Sequence, residues 1–490
     1  MTVSTELLQR RPTTQQPPIA AWWCWPLIGL LCLKFVALGL DPNPRFFMGD
    51  SGSYLWTAFS GWIPPDRSFV YGFLIRWTAL AAHSLTALLV LQVFLGTVTA
   101  ILVAKTCRQI FSLSAGYATF FGLLCAIDPL QWVWERYVMA ETVSLSVYAA
   151  LLVLSLFYLR ERRLSQLAVI QVLGVCLISL RISYLLAIEA TAILLPLIAF
   201  TPLFWARRSA DPTRSRSTMV RQLCLHLATS VILFFLLHQG YQRLNGYLTG
   251  KKPAYLYSSG LSIMATWAPI LQPADAPDSR LATLISEGNS FHLRDPRLRN
   301  SQLYSPDFLI GRWKKAEPDL TIADRAAKQT ALHALLRNPL DVFGLGARTF
   351  LSYFDWRAIH RQAQYDLGQG GWPKGLTGAL ANRLRLAPPT PAATKSSSLL
   401  QRYFVAAQPY YYIVLFAPVL CVILFFFWRA PHLVLLFAHS TIFLGTNSLL
   451  AVTASVRYLQ PLSLLTILIF AALAAYLLHR REFMQADPKL

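Results

Sequence analysis

Three charged residues stand beside hydrophobic segments of this chain, where they could act on a substrate. Asp50 lies in GDSGSY (49–54), just after the first long hydrophobic run, and Glu141 opens a later run. A carboxylate at a membrane boundary can take a proton from a hydroxyl group or bind a divalent cation. Arg457 precedes the last hydrophobic run, and a guanidinium can bind two oxygens of a phosphate at once.

Each of these residues also has a structural interpretation. Asp50 could cap the helix that follows it, because Asp is favoured at the N-cap position. Glu141 could complement a helix dipole in its first turn. Arg457 could extend its guanidinium to the membrane interface. Glu135 is more ambiguous, since it could simply pair with its neighbour Arg136.

Other charges lie inside hydrophobic runs. Asp128, followed by Pro129, is interpreted as a turn residue. Lys34 could reach the interface or pair with an acid, and Glu189 is an intramembrane charge for which Arg181 is the candidate partner.

The elements that hold these residues must be membrane helices. Hydrophobic residues make up 55% of the 490-residue chain and charged residues 14%, against about 25% charged in ordinary soluble domains. This composition excludes a soluble enzyme, a disordered protein and a coiled coil. The net charge of +21 is spread around hydrophobic runs, which favours anionic lipids and lipid-linked phosphates as partners over nucleic acid.

Several familiar motifs are absent from the sequence. The seven cysteines contain no CxxC pair, which argues against a disulfide framework or a zinc site. The nine histidines form no HExxH motif, and neither GxxxxGK[ST] nor GxGxxG occurs. A nucleotide-driven pump therefore has no support in the sequence.

The pattern predicts an all-α polytopic membrane protein with about ten transmembrane helices. The predicted spans are 21–40, 84–105, 114–134, 141–159, 167–182, 184–205, 221–241, 404–428, 431–452 and 458–478. Sixteen basic residues fall in the short loops of one side, and six in those of the other. The positive-inside rule then places both termini in the cytoplasm.

We divide the chain into five regions. They are a disordered N-terminus at 1–20, a transmembrane catalytic module at 21–241 with outer loops at 41–83 and 135–141, a mostly helical extracytoplasmic insert at 242–403, transmembrane helices at 404–478 and a cytoplasmic tail at 479–490.

Finer features are predicted inside two of these regions. The first outer loop should form two short interfacial helices, broken by Pro64-Pro65. In the insert, Thr321 should open a helix with a capping-box pattern that ends at Asn338. The stretch 340–354 is amphipathic and should lie on the membrane surface, and 387–398 is a linker.

Four motifs resemble the C-type glycosyltransferase superfamily, polytopic enzymes that use polyprenyl-phosphate sugars, and especially its bacterial protein O-mannosyltransferase-like and aminoarabinose transferase-like members. GDSGSY (49–54), followed by Pro64-Pro65 and Tyr71, is similar to the acidic first outer loop. RYVMAE (136–141) resembles the Arg-Tyr…acid motif of protein O-mannosyltransferases, with Glu in place of the usual Asp. Leu180-Arg181 and RYLQP (457–461) are similar to two further family motifs.

The resemblance implies transfer of a sugar from a polyprenyl-phosphate donor to a lipid, glycan or protein acceptor, usually with inversion. Asp50 would be the general base or a metal-binding acid, and Glu141 the second acid. A divalent cation (Mg, Mn or Ca) held by both carboxylates is left open. The expected location is a bacterial inner membrane, with the site on the extracytoplasmic side.

The resemblance also extends to residues that would bind substrates. The donor phosphate is assigned to Arg457, Arg181 and Tyr458. Other substrate contacts are assigned to Tyr54, Glu135 and Arg136. The chain has fewer spans after the insert than the aminoarabinose and protein-mannosyl enzymes, and it lacks their C-terminal soluble domain, so the acceptor is undefined.

Three other functions remain open at this point. One is a transporter or flippase of a lipid-linked substrate, which should show paired halves or broken helices near mid-membrane. Another is a glycan ligase or a different lipid-phosphate transferase that uses the basic insert as its acceptor platform. The third is a non-catalytic scaffold. The acids lie in outer loops, which favours extracytoplasmic chemistry.

Overall fold

The computed structural model describes residues 25–40, 43–201, 216–368, 373, 375–386 and 399–486. These residues form 23 α-helices and no β-strand; a single isolated bridge joins Arg45 to Tyr137. The all-α prediction is confirmed. The predicted disordered N-terminus and the linker at 387–398 lie outside the described residues.

The N-terminal half contains ten helices. They are α1 (Trp25–Leu40), α2 (Met48–Ser60), α3 (Val70–Ile75), α4 (Leu85–Gln109), α5 (Ala115–Ala126), α6 (Pro129–Trp132), α7 (Glu141–Glu161), α8 (Leu164–Leu180), α9 (Leu185–Phe200) and α10 (Arg216–Thr249). A π-helical turn, Arg76–Leu80, continues α3.

The insert contributes eight helices and the C-terminal part five. Those of the insert are α11 (Ser259–Thr266), α12 (Ser279–Ser286), α13 (Arg299–Tyr304), α14 (Leu309–Ala316), α15 (Leu320–Arg337), α16 (Pro339–Ser352), α17 (Trp356–Gly368) and α18 (Thr377–Leu384). The C-terminal helices are α19 (Leu399–Ala406), α20 (Gln408–Leu415), α21 (Ala417–Phe427), α22 (Pro431–Leu449) and α23 (Gln460–Ala486).

Among the described residues, six helices are long and apolar enough to cross a membrane, or seven if the bent pair α20–α21 counts as one span. The six segments are Leu85–Gln109, Glu141–Glu161, Ile182–Phe200, Ser217–Thr249, Pro431–Leu449 and Val456–His479. Such helices are compatible with a multi-pass membrane protein, and the predicted number of ten is not established.

Several predicted boundaries were wrong. The span predicted at 114–134 is interrupted after Ala126, because the Asp128 carboxylate accepts the N–H of Leu130 at 2.7 Å and starts α6 as its N-cap. The span predicted at 404–428 is two helices bent by 47°. Helix α10 continues to Thr249, past the predicted start of the insert at 242, and α23 continues to Ala486, into the predicted tail.

The start predicted for the helix at Thr321 was also wrong. The N-cap is Asp319, whose carboxylate accepts the N–H groups of Thr321 and Ile322. The Asp324 carboxylate instead accepts the N–H of Leu261 at 3.0 Å and ties α15 to α11. The helix ends at Arg337, immediately before Asn338-Pro339, as predicted.

Helices α2 and α3 form the two short helices predicted for the first loop. Gly61 ends α2 with φ +77°, a conformation that glycine adopts readily. The two helices pack closely because Gly72 has no side chain. A Cβ at position 72 would lie 2.5 Å from Thr57 Cβ. This approach places Tyr71 against Tyr54, with ring centroids 4.9 Å apart.

Candidate active site

Asp50 and Glu141 meet at one end of the bundle, joined by Arg457. Arg457 Nη2 lies 3.0 Å from Asp50 Oδ2, and Arg457 Nε donates to Glu141 Oε1. Asp50 Oδ1 is 2.5 Å from Arg67 Nη1, and Arg181 Nη1 is 3.5 Å from Glu141 Oε1. We call these five residues the carboxylate–arginine cluster.

The interpretation of Asp50 as a helix cap was wrong. The N-cap of α2 is Phe47, and the Ser51 hydroxyl accepts the N–H of Phe47 at 2.7 Å. Asp50 lies in the first turn, where both of its carboxylate oxygens contact arginines. Its carboxylate therefore binds arginine side chains and does not cap the N-terminus of α2.

A backbone clasp brings the two acids together. The N–H of Arg45 donates to the carbonyl of Arg136, and the N–H of Val138 donates to the carbonyl of Arg45, both at 2.9 Å. The Ser51 hydroxyl donates to the carbonyl of Val138 at 2.9 Å. The segment before α2 is thus fixed to the turn before α7, and Glu141 is the first residue of α7.

The members of the cluster differ in exposure. The side chain of Asp50 is 23% exposed, those of Arg67, Arg181 and Arg457 are 15%, 12% and 11% exposed, and that of Glu141 is 1% exposed. Two carboxylates face three guanidiniums, and Asp66 also binds Arg67, with Nη2 2.6 Å from Oδ2. Asp50 is the more exposed of the two acids in the cluster.

The charge state of Asp50 follows from its partners. Burial alone would raise the pKa of its carboxyl, but Arg67 and Arg457 outweigh burial, and the pKa lies below its usual value. Asp50 is therefore a carboxylate at neutral pH. It can accept a hydrogen bond or a proton from a bound hydroxyl group.

Aromatic rings line the cluster. The guanidinium of Arg457 lies over the ring of Phe47 at 4.3 Å, and that of Arg67 lies 5.9 Å from the ring of Tyr54. The phenol of Tyr458 is close enough to interact electrostatically with Asp50 and Arg181. These rings limit the guanidinium positions and reduce the contact of the charges with water.

Two predicted substrate residues lie apart from the cluster. Glu135 is fully buried and binds Lys34, with Nζ 2.6 Å from Oε1. Arg136 Nη2 donates to the carbonyl of Ala37 at 2.7 Å. The interpretation that Glu135 simply pairs with Arg136 missed its contact with Lys34. The candidate partner of Glu189 was Arg181, which contacts Glu141 instead.

The Lys34–Glu135 pair belongs to a network that holds the turn before α7. The amide of Gln92 donates to the carbonyls of Glu135 and Tyr137 at 3.0 Å, and Tyr71 donates to Gln92 Oε1 at 2.6 Å. A Cβ at position 96 would lie 1.9 Å from Glu135 Oε1, so a larger residue there would force the Glu135 carboxylate to shift from its place beside Lys34. The network contributes to the site by positioning the backbone that leads to Glu141.

Sequence reasoning missed two residues beside the predicted site. Arg67 was counted only as a basic residue of the first loop, although it follows Pro64-Pro65-Asp66 in the segment that the resemblance singled out. Asp366 of α17 carried no signal. Its Oδ2 accepts the hydroxyl of Ser455 at 2.6 Å, and Ser455 Oγ accepts the N–H of Arg457 at 3.2 Å.

Asp366 thus ties the insert to the segment that carries Arg457. It is buried, and Gln362 donates to its Oδ1 at 2.7 Å. Burial raises the pKa of its carboxyl. Tyr353, which follows α16, donates to the carbonyl of Ser455 at 3.3 Å.

A divalent metal ion does not fit this arrangement well. Asp50 and Glu141 are already engaged by three guanidiniums, and a cation between them would meet that positive charge. Throughout the part of the chain that the structure describes, no three His, Cys, Asp or Glu side chains form a group that could hold a metal. No step is assigned to a metal here.

Comparison with protein-family models, curated proteins and solved structures yields no match. The function is therefore argued from the carboxylate–arginine cluster and from the four sequence motifs whose residues build or adjoin it.

Proposed function

We propose that the protein is an integral-membrane glycosyltransferase, moving a sugar from a polyprenyl-phosphate donor to a lipid, glycan or protein acceptor. The observation that carries the proposal is the partly exposed Asp50 carboxylate bound by Arg67 and Arg457, with Arg181 on the neighbouring Glu141. One group of residues thereby offers both a proton acceptor and a site for phosphate. These are the two functions that sugar transfer from a phosphate donor requires.

The donor phosphate is assigned to Arg67, Arg181 and Arg457, with Tyr458 beside them. Guanidiniums bind phosphate oxygens in pairs, and all three are partly exposed next to Asp50 or Glu141. Charge builds on the phosphate as the glycosidic bond breaks. Positioned guanidiniums stabilise that charge in the transition state.

The acceptor hydroxyl is assigned to Asp50. The oxygen of the acceptor hydroxyl attacks the anomeric carbon of the sugar. The bond from that carbon to the phosphate oxygen breaks, and the polyprenyl phosphate leaves with the electron pair. The acceptor proton passes to the Asp50 carboxylate. Attack on the side opposite the phosphate inverts the configuration of the anomeric carbon.

Glu141 has a different role in this scheme. It is nearly inaccessible, and it holds Arg181 and Arg457 through its Oε1 atom. We assign it to positioning these two arginines. Glu135 and Arg136 are left out of the substrate site, because Glu135 is fully buried against Lys34.

The proposed topology has ten spans, both termini in the cytoplasm and the cluster on the extracytoplasmic face of a bacterial inner membrane. The count requires the bent pair to act as one span and three shorter apolar helices to cross as well: Ile28–Leu40, Ala115–Ala126 and Leu164–Leu180. The basic insert would then stand outside, where it can receive the acceptor.

A transporter of a lipid-linked substrate is the second candidate. The bend of 47° between α20 and α21 favours it, because broken helices are typical of transporters. A ligase that transfers whole glycans would use the same cluster with a larger donor. Activity with single-sugar donors would distinguish the proposed enzyme from that ligase.

The test uses purified full-length protein in liposomes with a panel of radiolabelled polyprenyl-phosphate monosaccharides and an envelope lipid extract as acceptor. The proposal expects a labelled product and release of polyprenyl phosphate, both lost in Asp50→Asn. Mass spectrometry of glycolipids and envelope glycans from cells with and without the protein would identify the sugar and its acceptor. Movement of the donor between leaflets without bond formation would instead establish a transporter.

A further inference from the structure

One face of α16 is apolar and points away from the protein. Leu340, Phe343, Ala347 and Leu351 follow one another at spacings of three and four residues, so they line one side of the helix. All four are exposed, Leu340 to 79% and Leu351 to 63%. A continuous exposed apolar stripe of this kind marks an interaction surface.

The opposite face of α16 fixes its place in the fold. Val342, Leu345 and Gly346 are buried. A Cβ on Gly346 would lie 2.5 Å from Leu449 Cδ2, and the indole N–H of Trp267 donates to the carbonyl of Leu449 at 2.9 Å. Leu449 is the last residue of α22, so α16 lies against the end of a helix that can span the membrane.

The apolar stripe adjoins the exposed apolar surface of the bent pair. Phe354, two residues beyond α16, stacks on Tyr412 with ring centroids 5.9 Å apart and lies 5.8 Å from the ring of Phe416. From Phe416 onward, α21 exposes further apolar side chains: Val419, Ile423, Phe426 and Phe427. A surface of this composition on a candidate span is suited to acyl chains.

We propose that α16 is seated in the outer leaflet of the bilayer, with Leu340, Phe343 and Leu351 among the acyl chains. The partner is a phospholipid monolayer on the Leu449 side of α22, the side that the positive-inside rule makes extracytoplasmic. Arg348 and Arg357 are exposed close to the stripe along the chain and can reach anionic headgroups. The insert is then anchored along the membrane, and Asp366 links this anchored region to Arg457.

Spin-label accessibility tests the depth of α16 without any assay of turnover, so its outcome is independent of the proposed transferase activity. The full chain, with its natural cysteines replaced by alanine, is labelled at Phe343→Cys in nanodiscs of phosphatidylcholine and phosphatidylglycerol. Ile423→Cys in α21 is the lipid-facing reference, and Asp307→Cys, exposed on the insert, is the aqueous reference. Collision rates with oxygen and with a water-soluble nickel chelate are measured at each label.

The quantity compared is the ratio of the collision rate with oxygen to the collision rate with the nickel chelate. The proposal expects this ratio at position 343 to be similar to that at position 423 and several-fold higher than that at position 307. Equal preference at 343 and 307 would overturn it. Because Phe343→Cys removes a large side chain, the small exposed Ala347→Cys provides a second reading with the same expected result. Dipolar broadening between labels on two copies would also overturn it, since the stripe would then be a protein–protein interface.

Discussion

The segment 135–141 begins with one acid, Glu135, and ends with another, Glu141, and the surroundings of the two side chains differ. At one end, Glu135 forms an ion pair with Lys34, and both side chains are fully buried. At the other end, Glu141 shares Arg457 with Asp50, and the group of two carboxylates and three guanidiniums is partly exposed through Asp50 and the arginines. Water can reach the second group but not the first pair.

The difference separates a structural ion pair from a candidate binding site. A fully buried pair cannot be reached by a ligand, and it fixes the geometry of its neighbours. Guanidiniums at a partly exposed position can still be reached by an incoming anion. Four substitutions test whether the two groups differ in this way.

The largest effect should come from Glu135→Gln. It leaves the Lys34 ammonium buried beside a neutral amide, and breaking a buried pair costs about 3–5 kcal/mol of folding stability. The unfolding midpoint in detergent should fall accordingly. The double variant Lys34→Met/Glu135→Gln should recover most of the lost stability, because no buried charge remains. If the single and double variants were equally stable, Lys34 and Glu135 would not be a structural ion pair.

Asp50→Asn should act on turnover and leave the fold intact. The amide keeps the shape of the carboxylate, and its one oxygen can still accept a hydrogen bond from either Arg67 or Arg457. Its NH2 group then faces the other guanidinium, and the side chain is no longer a base. Loss of an acid–base group typically lowers the rate by about a hundredfold or more. Asp66→Asn is the matched control, because Asp66 binds Nε and Nη2 of Arg67 and leaves Nη1 to Asp50. It should keep near-normal turnover. Full activity of Asp50→Asn would move the proton transfer to another group.

Arg457→Lys should weaken donor binding. Lysine keeps the charge but loses the planar fork that spans Asp50 and Glu141, and a lost charge-assisted hydrogen bond costs about 1.5–3 kcal/mol. Donor-concentration kinetics on correctly inserted protein would show it as a higher KM, a lower kcat, or both. Arg429→Lys, an exposed position beyond α21, should match the parent protein. If Arg457→Lys has the same donor affinity and the same rate as the parent protein, Arg457 only anchors the last helix at the membrane interface.

Asp366→Ala should have the smallest effect. It removes the hydrogen bonds from Ser455 and Gln362, each worth about 0.5–1.5 kcal/mol. It also loosens the segment that carries Arg457, so donor KM should rise several-fold. Asp366→Asn retains an acceptor for the Ser455 hydroxyl and should restore donor binding. If Asp366 acts through Ser455, the combination of Asp366→Ala and Ser455→Ala should cost no more than either alone; additive losses would show two independent roles.

Local pattern predicted much of the helical framework. The hydrophobic runs gave α4, α7 and α22 to within a few residues, because each run is long and uninterrupted. The interpretation of Asp128 as a turn residue was correct, because the helix breaks there, but the span at 114–134 was still predicted as continuous. The bend between α20 and α21 was missed. A run of apolar residues indicates burial or lipid contact but does not show where tertiary packing divides the helix.

The candidate site was predictable only in part. Asp50, Glu141 and Arg457 stand at the ends of hydrophobic runs, which marked them without showing that they touch. Asp366 lies in the insert, and only the folded chain brings it to Ser455. Lys34 was a better partner for Glu135 than the adjacent Arg136, and their separation of 101 residues hides such a pair from sequence reading.

The contact between Asp50 and Arg457 joins residues 407 positions apart, and this separation has a consequence for biogenesis. During synthesis, the clasp between the segment before α2 and the turn before α7 can form once the first third of the chain has been inserted. Arg457 leaves the ribosome long afterwards, just ahead of α23. Until then, Asp50 and Glu141 lack their common partner, so a ribosome stalled in the insert would hold a nascent chain in which the two acids are close together without Arg457. The candidate site is therefore completed only as the last helix is made.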